Sequence, residues 1–154
     1  MSSMPTIVAA IVTALSSVTA ITATSTDEYL PPITTTDTAL IIPAFGQQSR
    51  FGVMDLSGAT GYQTHRFRVE LWVKHKGSNA DLTQRARAVA AAAVRAFLDH
   101  PTLGGSVETI GWFDGVSSFD YAIDAEIADQ LVAVGNASYL PVTIMLSVTD
   151  FSLP

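Results

Sequence analysis

The chain has 154 residues, of which 48% are hydrophobic and 14% are charged, and it contains no cysteine. This composition excludes intrinsic disorder, a disulfide framework and a thiolate metal site, and the length predicts a single domain over residues 1–154. The net charge of −6 disfavours binding to nucleic acid through its phosphates. Ordinary soluble domains have about 25% charged residues, and the lower fraction here is typical of a subunit that buries surface against its own copies.

The N-terminal segment predicts an amphipathic helix with Pro5 in its first turn. Its apolar positions recur at spacings of four, four and three residues: Ile7, Ile11, Leu15 and Val18. The first basic residue is Arg50, so the segment lacks the positive start of a secretory signal and the flanking charges of a transmembrane span. A Thr-rich connector over residues 19–38 follows, and its Pro31-Pro32 pair favours an extended path.

The apolar run over residues 40–45 predicts an edge strand, because Pro43 interrupts it. Residues 46–61 have no stable period and contain four glycines, which predicts a long loop. Exposed apolar side chains typically mark interaction sites, so we expect this loop to contact a partner rather than its own subunit. The residues expected to make that contact are Gln47, Gln48, Arg50, Phe51, Met54 and Leu56.

Alternation of apolar and polar residues predicts a strand over residues 62–76. Its core face would carry Phe67, Val69, Leu71 and Val73, and its polar face Arg66, Arg68, Glu70, Trp72 and Lys74. A helix is predicted next, capped by Asn79 or Asp81 and ending near His100, with an apolar stripe from Leu82 to Phe97.

Residues 107–112 predict a second core strand, and residues 119–123 alternate as a further strand. Ile127, Leu131 and Val134 recur at spacings of four and three, and Asp124 and Gly135 suggest the two caps, so a short helix is predicted near residues 125–134. Residues 139–151 alternate as a closing strand. This order predicts an α+β fold, a mainly antiparallel sheet with two long helices packed on one face.

Chemistry-bearing residues are sparse. His65 and His75 lie about 33 Å apart along an extended strand, and His100 is placed to satisfy carbonyls at a helix end. The acidic residues of the region 120–129 favour a solvated or interface surface over paired-carboxylate catalysis. Neither a phosphate-binding loop nor a nucleophile elbow is present. We therefore expect no enzymatic activity, no metal and no cofactor.

The layout resembles the tail terminator (tail completion) proteins of long-tailed bacteriophages. The resemblance covers nearly the whole chain: the first helix, the Thr/Pro connector, the LIIPAF strand, the RFRVELWV strand, the Ala/Arg-rich helix and the closing YLPVTIMLSV strand. It implies a structural virion protein of the tail, assembled in the host cytoplasm. Six subunits would form a ring on the finished tail tube, end its polymerisation and join it to the head connector.

The partners implied by this resemblance are copies of the chain itself, the tail tube protein and the head connector or stopper protein. DNA would pass through the lumen of the ring without specific binding, and no membrane would be involved. The acid excess of the chain fits such a lumen, because a negative wall does not hold DNA.

Opposite charges suggest how the subunits meet. The polar face of the strand offers the bases Arg66, Arg68 and Lys74, and the region 120–129 offers the acids Asp120, Asp124, Glu126 and Asp129. The residues expected at the subunit interface are Arg66, Arg68, Trp72, Asp120 and Asp124. The two clusters would pair either between neighbours in a ring or within one subunit across adjacent strands, and both alternatives stay open.

Other classes of function also stay open. The chain would otherwise be another neck or tail-tube structural protein, or a small ligand-binding or hydrolytic α+β domain, which needs a pocket with convergent polar groups. An acidic nucleic-acid mimic is a further alternative. The basic stripe around Trp72 also fits stacking on single-stranded nucleic acid, which the net charge of −6 disfavours.

Overall fold

A computed structural model of the chain describes residues 3–18, 37–42, 48–53, 60–113, 119–120 and 122–153. The elements in chain order are α1 (Met4–Ala14), a 3-10 turn (Leu15–Ser17), β1 (Thr38–Ile41), β2 (Gln48–Val53), β3 (Gly61–Lys74), α2 (Asn79–Asp99), β4 (Thr109–Ile110), β5 (Trp112–Phe113), β6 (Phe119–Asp120), β7 (Ile123–Ile127), β8 (Val132–Val134) and β9 (Ala137–Asp150). Most of the predicted connector, residues 19–36, lies outside the described residues, as do Gln47, Met54 and Leu56.

Two long strands form the centre of the sheet. β3 and β9 have 14 residues each and pair antiparallel from Gln63 opposite Asp150 to Lys74 opposite Tyr139. β1 and β2 follow one another along the free edge of β3, and β8, β7 and β4 follow one another along the free edge of β9. Each edge of the seven-stranded sheet is therefore built from short segments, while its centre is continuous.

One face of the sheet, called the inner face here, forms the hydrophobic core with both helices. Phe67, Val69, Leu71 and Val73 of β3, all at most 1% exposed, lie on this face as predicted. The helices contribute Ile7 and Ile11 from α1 and Leu82, Ala86, Ala93 and Phe97 from α2. Full burial of one large apolar side chain stabilises the fold by about 1.5–3 kcal/mol, so this face supplies most of the driving force for folding.

Side-chain caps define where both helices begin. Ser3 caps α1 and accepts a hydrogen bond from the backbone N–H of Thr6, with Pro5 in the first turn as predicted. α2 is capped by Ser78, whose Oγ accepts from the backbone N–H of Asp81 at 3.1 Å. The predicted caps, Asn79 and Asp81, are therefore wrong, and they would start α2 one or three residues too late.

The prediction of two long helices packed on a sheet is wrong. α1 has 11 residues and passes into a 3-10 turn, whereas only α2, with 21 residues, is long. Hydroxyl groups contribute to this early end: Thr13 Oγ1 donates to Ala9 O at 3.0 Å and Ser16 Oγ donates to Thr13 O at 2.7 Å. Such bonds to preceding carbonyls compete with regular helix geometry. The fold is mainly an antiparallel sheet.

The predicted short helix near residues 125–134 is also wrong, because this segment forms β7 and β8 along β9. Leu131, which completed the helical spacing, is 44% exposed and does not belong to a buried helix face. Gly135 and Asn136 instead form the two-residue turn between β8 and β9, with Gly135 at a φ of 59°. A Gly-Asn pair between apolar residues is a hairpin signal.

The predicted loop over residues 46–61 contains a strand. β2 pairs with the first half of β3, from Gln48 opposite Arg66 to Val53 opposite Gly61. Gly52 lies opposite Tyr62, and a Cβ atom at Gly52 would lie 2.5 Å from Tyr62 Cζ. The glycine therefore lets the tyrosine ring fold over the edge strand, a pairing that stabilises glycine in sheets.

We predict that Gly52→Ala lowers the free energy of unfolding by about 1–3 kcal/mol, because the new methyl group displaces the Tyr62 ring. Chemical denaturation of the wild type and the variant measures this change. In a Tyr62→Ala background the same substitution should cost much less, since the obstructing ring is gone. Equal costs in both backgrounds would show that the ring is not the obstacle.

Candidate functional site

The predicted basic residues lie on the outer face of the sheet, opposite to the face that the helices cover. Arg66 lies opposite Ser147, and its Nε donates to Ser147 Oγ at 3.2 Å. Arg68 Nε lies 3.5 Å from Glu70 Oε1, and Trp72 Nε1 donates to Glu70 Oε2 at 3.1 Å. Glu70 therefore joins Arg68 and Trp72 along β3, a local arrangement that sequence reasoning missed.

The structure brings part of the acidic region, Asp124 and Glu126, to this same face. Asp124 lies opposite Met145 of β9, which in turn lies opposite Arg68, so these three residues form one row across β7, β9 and β3. With strands about 4.8 Å apart, Arg68 and Asp124 are separated by roughly 10 Å between their Cα atoms. Among the described residues, Arg68 forms its ion pair with Glu70 rather than with Asp124. Asp120 lies on β6, where its backbone pairs with Trp112.

The predicted contact residues Gln48, Arg50 and Phe51 lie on the edge strand β2. Their backbone pairs with β3, so this part of the segment is bound to its own subunit, while all three side chains are exposed. Phe51 is 54% exposed and Val53 is 46% exposed. Contact of these side chains with a partner stays a prediction.

A second apolar surface lies at the opposite edge. A groove of about 360 Å³ runs between α2 and β7 and is lined by Ala90, Ala91, Val94, Arg95, Leu98 and Ala125. Leu98, on the wall of the groove, is 59% exposed. The groove has small apolar walls and one cation at its rim, which suits a side chain of another protein better than a polar small molecule.

Ser49, His65 and Gln63 form a hydrogen-bonded chain that the sequence did not reveal. Ser49 Oγ lies 2.8 Å from His65 Nδ1, and His65 Nε2 lies 2.8 Å from Gln63 Oε1. An amide oxygen only accepts, so Nε2–H donates to Gln63 and the neutral ring accepts the Ser49 hydroxyl at Nδ1. Phe51 contacts the ring edge-on, with the two ring centroids 5.8 Å apart.

This chain resembles the serine–histidine pair of hydrolases in its contacts but differs in its electrostatics. Burial lowers the pKa of His65 from its ordinary value of 6.5, and the charge of Asp150 opposes this effect. The third member, Gln63, is a neutral amide and supplies no negative charge to stabilise an imidazolium ion. The geometry therefore favours a neutral histidine that fastens β2 to β3.

We predict that the free energy of unfolding falls as the pH is lowered from about 7.5 to 5, because the unfolded chain then binds a proton that the native state resists. The contribution is fully present above the unfolded pKa of 6.5 and is lost as the pH falls toward the lowered native pKa of His65. Denaturation at several pH values measures the slope.

Replacing the histidine by an uncharged side chain tests the assignment. His65→Gln should flatten this slope, and the matched variant His75→Gln, on a partly exposed histidine, should keep it. An unchanged slope in His65→Gln would assign the pH dependence to other groups.

Within the described part of the chain, no group of three or more His, Asp or Glu side chains is arranged to hold a metal ion. The same residues include no helix long and apolar enough to cross a bilayer. Comparison of the sequence with protein-family models gives no match, and comparison with curated proteins gives none either.

Proposed function

We propose that this chain is a structural virion protein that forms a ring on the end of a bacteriophage tail tube. The ring ends polymerisation of the tube and joins the tail to the head connector. The layout of the sequence, which resembles tail terminator proteins, suggests this role. The structural observation that supports it is the presence of two different apolar patches at opposite edges of one sheet.

The two patches are separated by the width of the sheet. The β2 patch consists of Phe51 and Val53, and the β7 patch is the groove between α2 and β7 with Leu98 on its wall; Phe51, Val53 and Leu98 are 54%, 46% and 59% exposed. A cyclic ring uses two different surfaces of each subunit, one for each neighbour, whereas a twofold dimer uses one surface twice. Two unlike patches on opposite edges therefore fit a ring, and exposed apolar clusters of this kind typically mark protein contacts.

In this proposal the chain catalyses no reaction and binds neither metal nor cofactor. It acts in the virion tail after assembly in the host cytoplasm. Its partners are further copies of the chain, the tail tube protein and the head connector or stopper protein. DNA passes through the lumen without specific binding, which agrees with the net charge of −6, because an acidic wall repels phosphate groups.

Light scattering of the purified chain, alone and with tail tubes from the same virion, tests the proposal. We expect a closed oligomer, in solution or on the tubes, and electron microscopy should show it as a single ring at one tube end. Added during tube polymerisation, the chain should shorten the tubes. A chain that stays monomeric and does not bind tubes contradicts the proposal, and open tubes of the chain alone indicate a tube subunit instead.

A further inference from the structure

We propose that neighbouring copies of the chain meet by strand addition, with β2 of one copy pairing antiparallel with β7 of the next. This inference rests on the ring proposed above and names the contact that closes it. Both strands are edges: among the described residues β2 pairs only with β3, and β7 only with β9. An exposed edge offers unpaired backbone groups that another strand can bind.

Hydrogen bonds at the two ends of β7 show which of its backbone groups point outward. Ala128 N–H donates to Pro141 O at 3.0 Å, and Ser147 N–H donates to Ala122 O at 3.1 Å. In an antiparallel ladder such bonded residues alternate, so the even-numbered residues of β7 bond to β9. The N–H and C=O groups of Ile123, Ala125 and Ile127 therefore point away from the sheet.

The same argument applies to β2. Lys74 N–H donates to Asp37 O at 2.8 Å, and His75 N–H donates to Ser138 O at 2.8 Å. Even-numbered residues of β3 thus bond toward the edge that holds β1 and β2, and odd-numbered residues bond toward β9. Since Arg50 lies opposite Thr64, the outward backbone groups of β2 belong to Ser49, Phe51 and Val53.

Strand direction supports head-to-tail addition. β2 and β9 both run antiparallel to β3, and β7 runs antiparallel to β9, so β2 and β7 run in opposite directions within one subunit. Two copies placed side by side in the same orientation therefore present β2 and β7 to each other as antiparallel neighbours. Subunits of a cyclic ring have this relative orientation when the ring axis runs along the strands.

The inner faces of the two edges fit each other. Phe51 and Val53 lie on the inner face of β2 and are 54% and 46% exposed. The groove beside β7 also opens on the inner face, since Ala125 packs against the core between α2 and the sheet. Strand addition would lay the Phe51 ring of one copy over Ala125 and against Leu98 of the next, and so cover apolar surface from both.

The outer faces are complementary in charge. Arg50 is exposed on the outer face of β2, and Asp124 and Glu126 are exposed on the outer face of β7. Two registers oppose every residue of β7 to a residue of β2, and only one of them pairs the outward backbone groups of both strands; it places Arg50 opposite Glu126 and Phe51 opposite Ala125. In this one register the strand ladder, the apolar contact and the charge pair form together, although each of the three depends on different residues.

Disulfide trapping tests the register directly, because the chain has no cysteine of its own. Arg50 and Glu126 would be a non-hydrogen-bonded pair with Cα atoms about 4.5 Å apart, a distance that a disulfide spans. The doubly substituted chain Arg50→Cys/Glu126→Cys should form a ladder of covalent oligomers on mild oxidation. In the matched control Arg68→Cys/Asp124→Cys, one cysteine lies on β3, outside the proposed ladder, and the other lies opposite Gly52 of the next copy, so neither has a cysteine partner across the contact and the chain should stay monomeric under denaturing conditions.

The outcomes separate this inference from the function on which it rests. Cross-linking at the control pair but not at Arg50 and Glu126 means that subunits meet through their outer faces, which overturns strand addition and leaves the ring intact. A wild-type chain that forms no oligomer with or without tail tubes overturns the proposed function itself. Cross-linked open filaments support the strand contact and contradict closure into a ring.

A charge exchange provides a second measurement that needs no new bond. Arg50→Glu should weaken self-association by about tenfold while leaving the thermal midpoint near that of the wild type, since the side chain is exposed. Adding Glu126→Arg should restore most of the association. Normal association of Arg50→Glu, or no restoration in the double variant, excludes this charge pair from the contact.

Discussion

The pairing of β3 with β9 is the constraint on which the rest of the molecule depends. Its register is continuous from Gln63 to Lys74, and it places Phe67 beside Leu146 and Leu71 beside Val142 on the inner face. A shift by one residue would turn every one of these side chains to the outer face, so burial itself fixes the register. All other strands of the main sheet attach to this pair, and both helices pack on its inner face.

The inner face of β3 is apolar toward one end of the strand and polar toward the other. From Phe67 to Val73 the inner face of β3 belongs to the hydrophobic core, whereas the half that pairs with β2 carries the polar Gln63 and His65, each 3% exposed. There a hydrogen bond from Ser49 to His65 joins the strands, while Phe51 lies beside the ring and remains half exposed. The exposed half of the Phe51 surface is available to a neighbouring molecule.

The sequence predicted the parts whose conformation is encoded by their own pattern. β3, β9 and α2 have long periodic stretches, and Arg66 and Arg68 were placed correctly on the polar face. The sequence did not predict β2, β7 and β8, because short edge strands depend on pairing with distant residues. For β7 and β8, the helical spacing of Ile127, Leu131 and Val134 favoured a helix, although Gly135 marks a hairpin turn. The Ser49–His65 bond requires the register of two strands, which no local pattern contains.

Apart from Glu70, which pairs with Arg68 on β3, the charges named on the outer face differ in sign between the two edges of the sheet. Arg50 on β2 and Arg66 and Arg68 on β3 lie toward one edge, whereas Asp124 and Glu126 on β7 lie at the other. A twofold contact between like edges would oppose like charges, β7 against β7 or β2 against β2, and like charges directly opposite one another destabilise strand pairing. Contact between unlike edges brings base against acid in every repeat. In a chain with only 14% charged residues, this placement favours cyclic over twofold association.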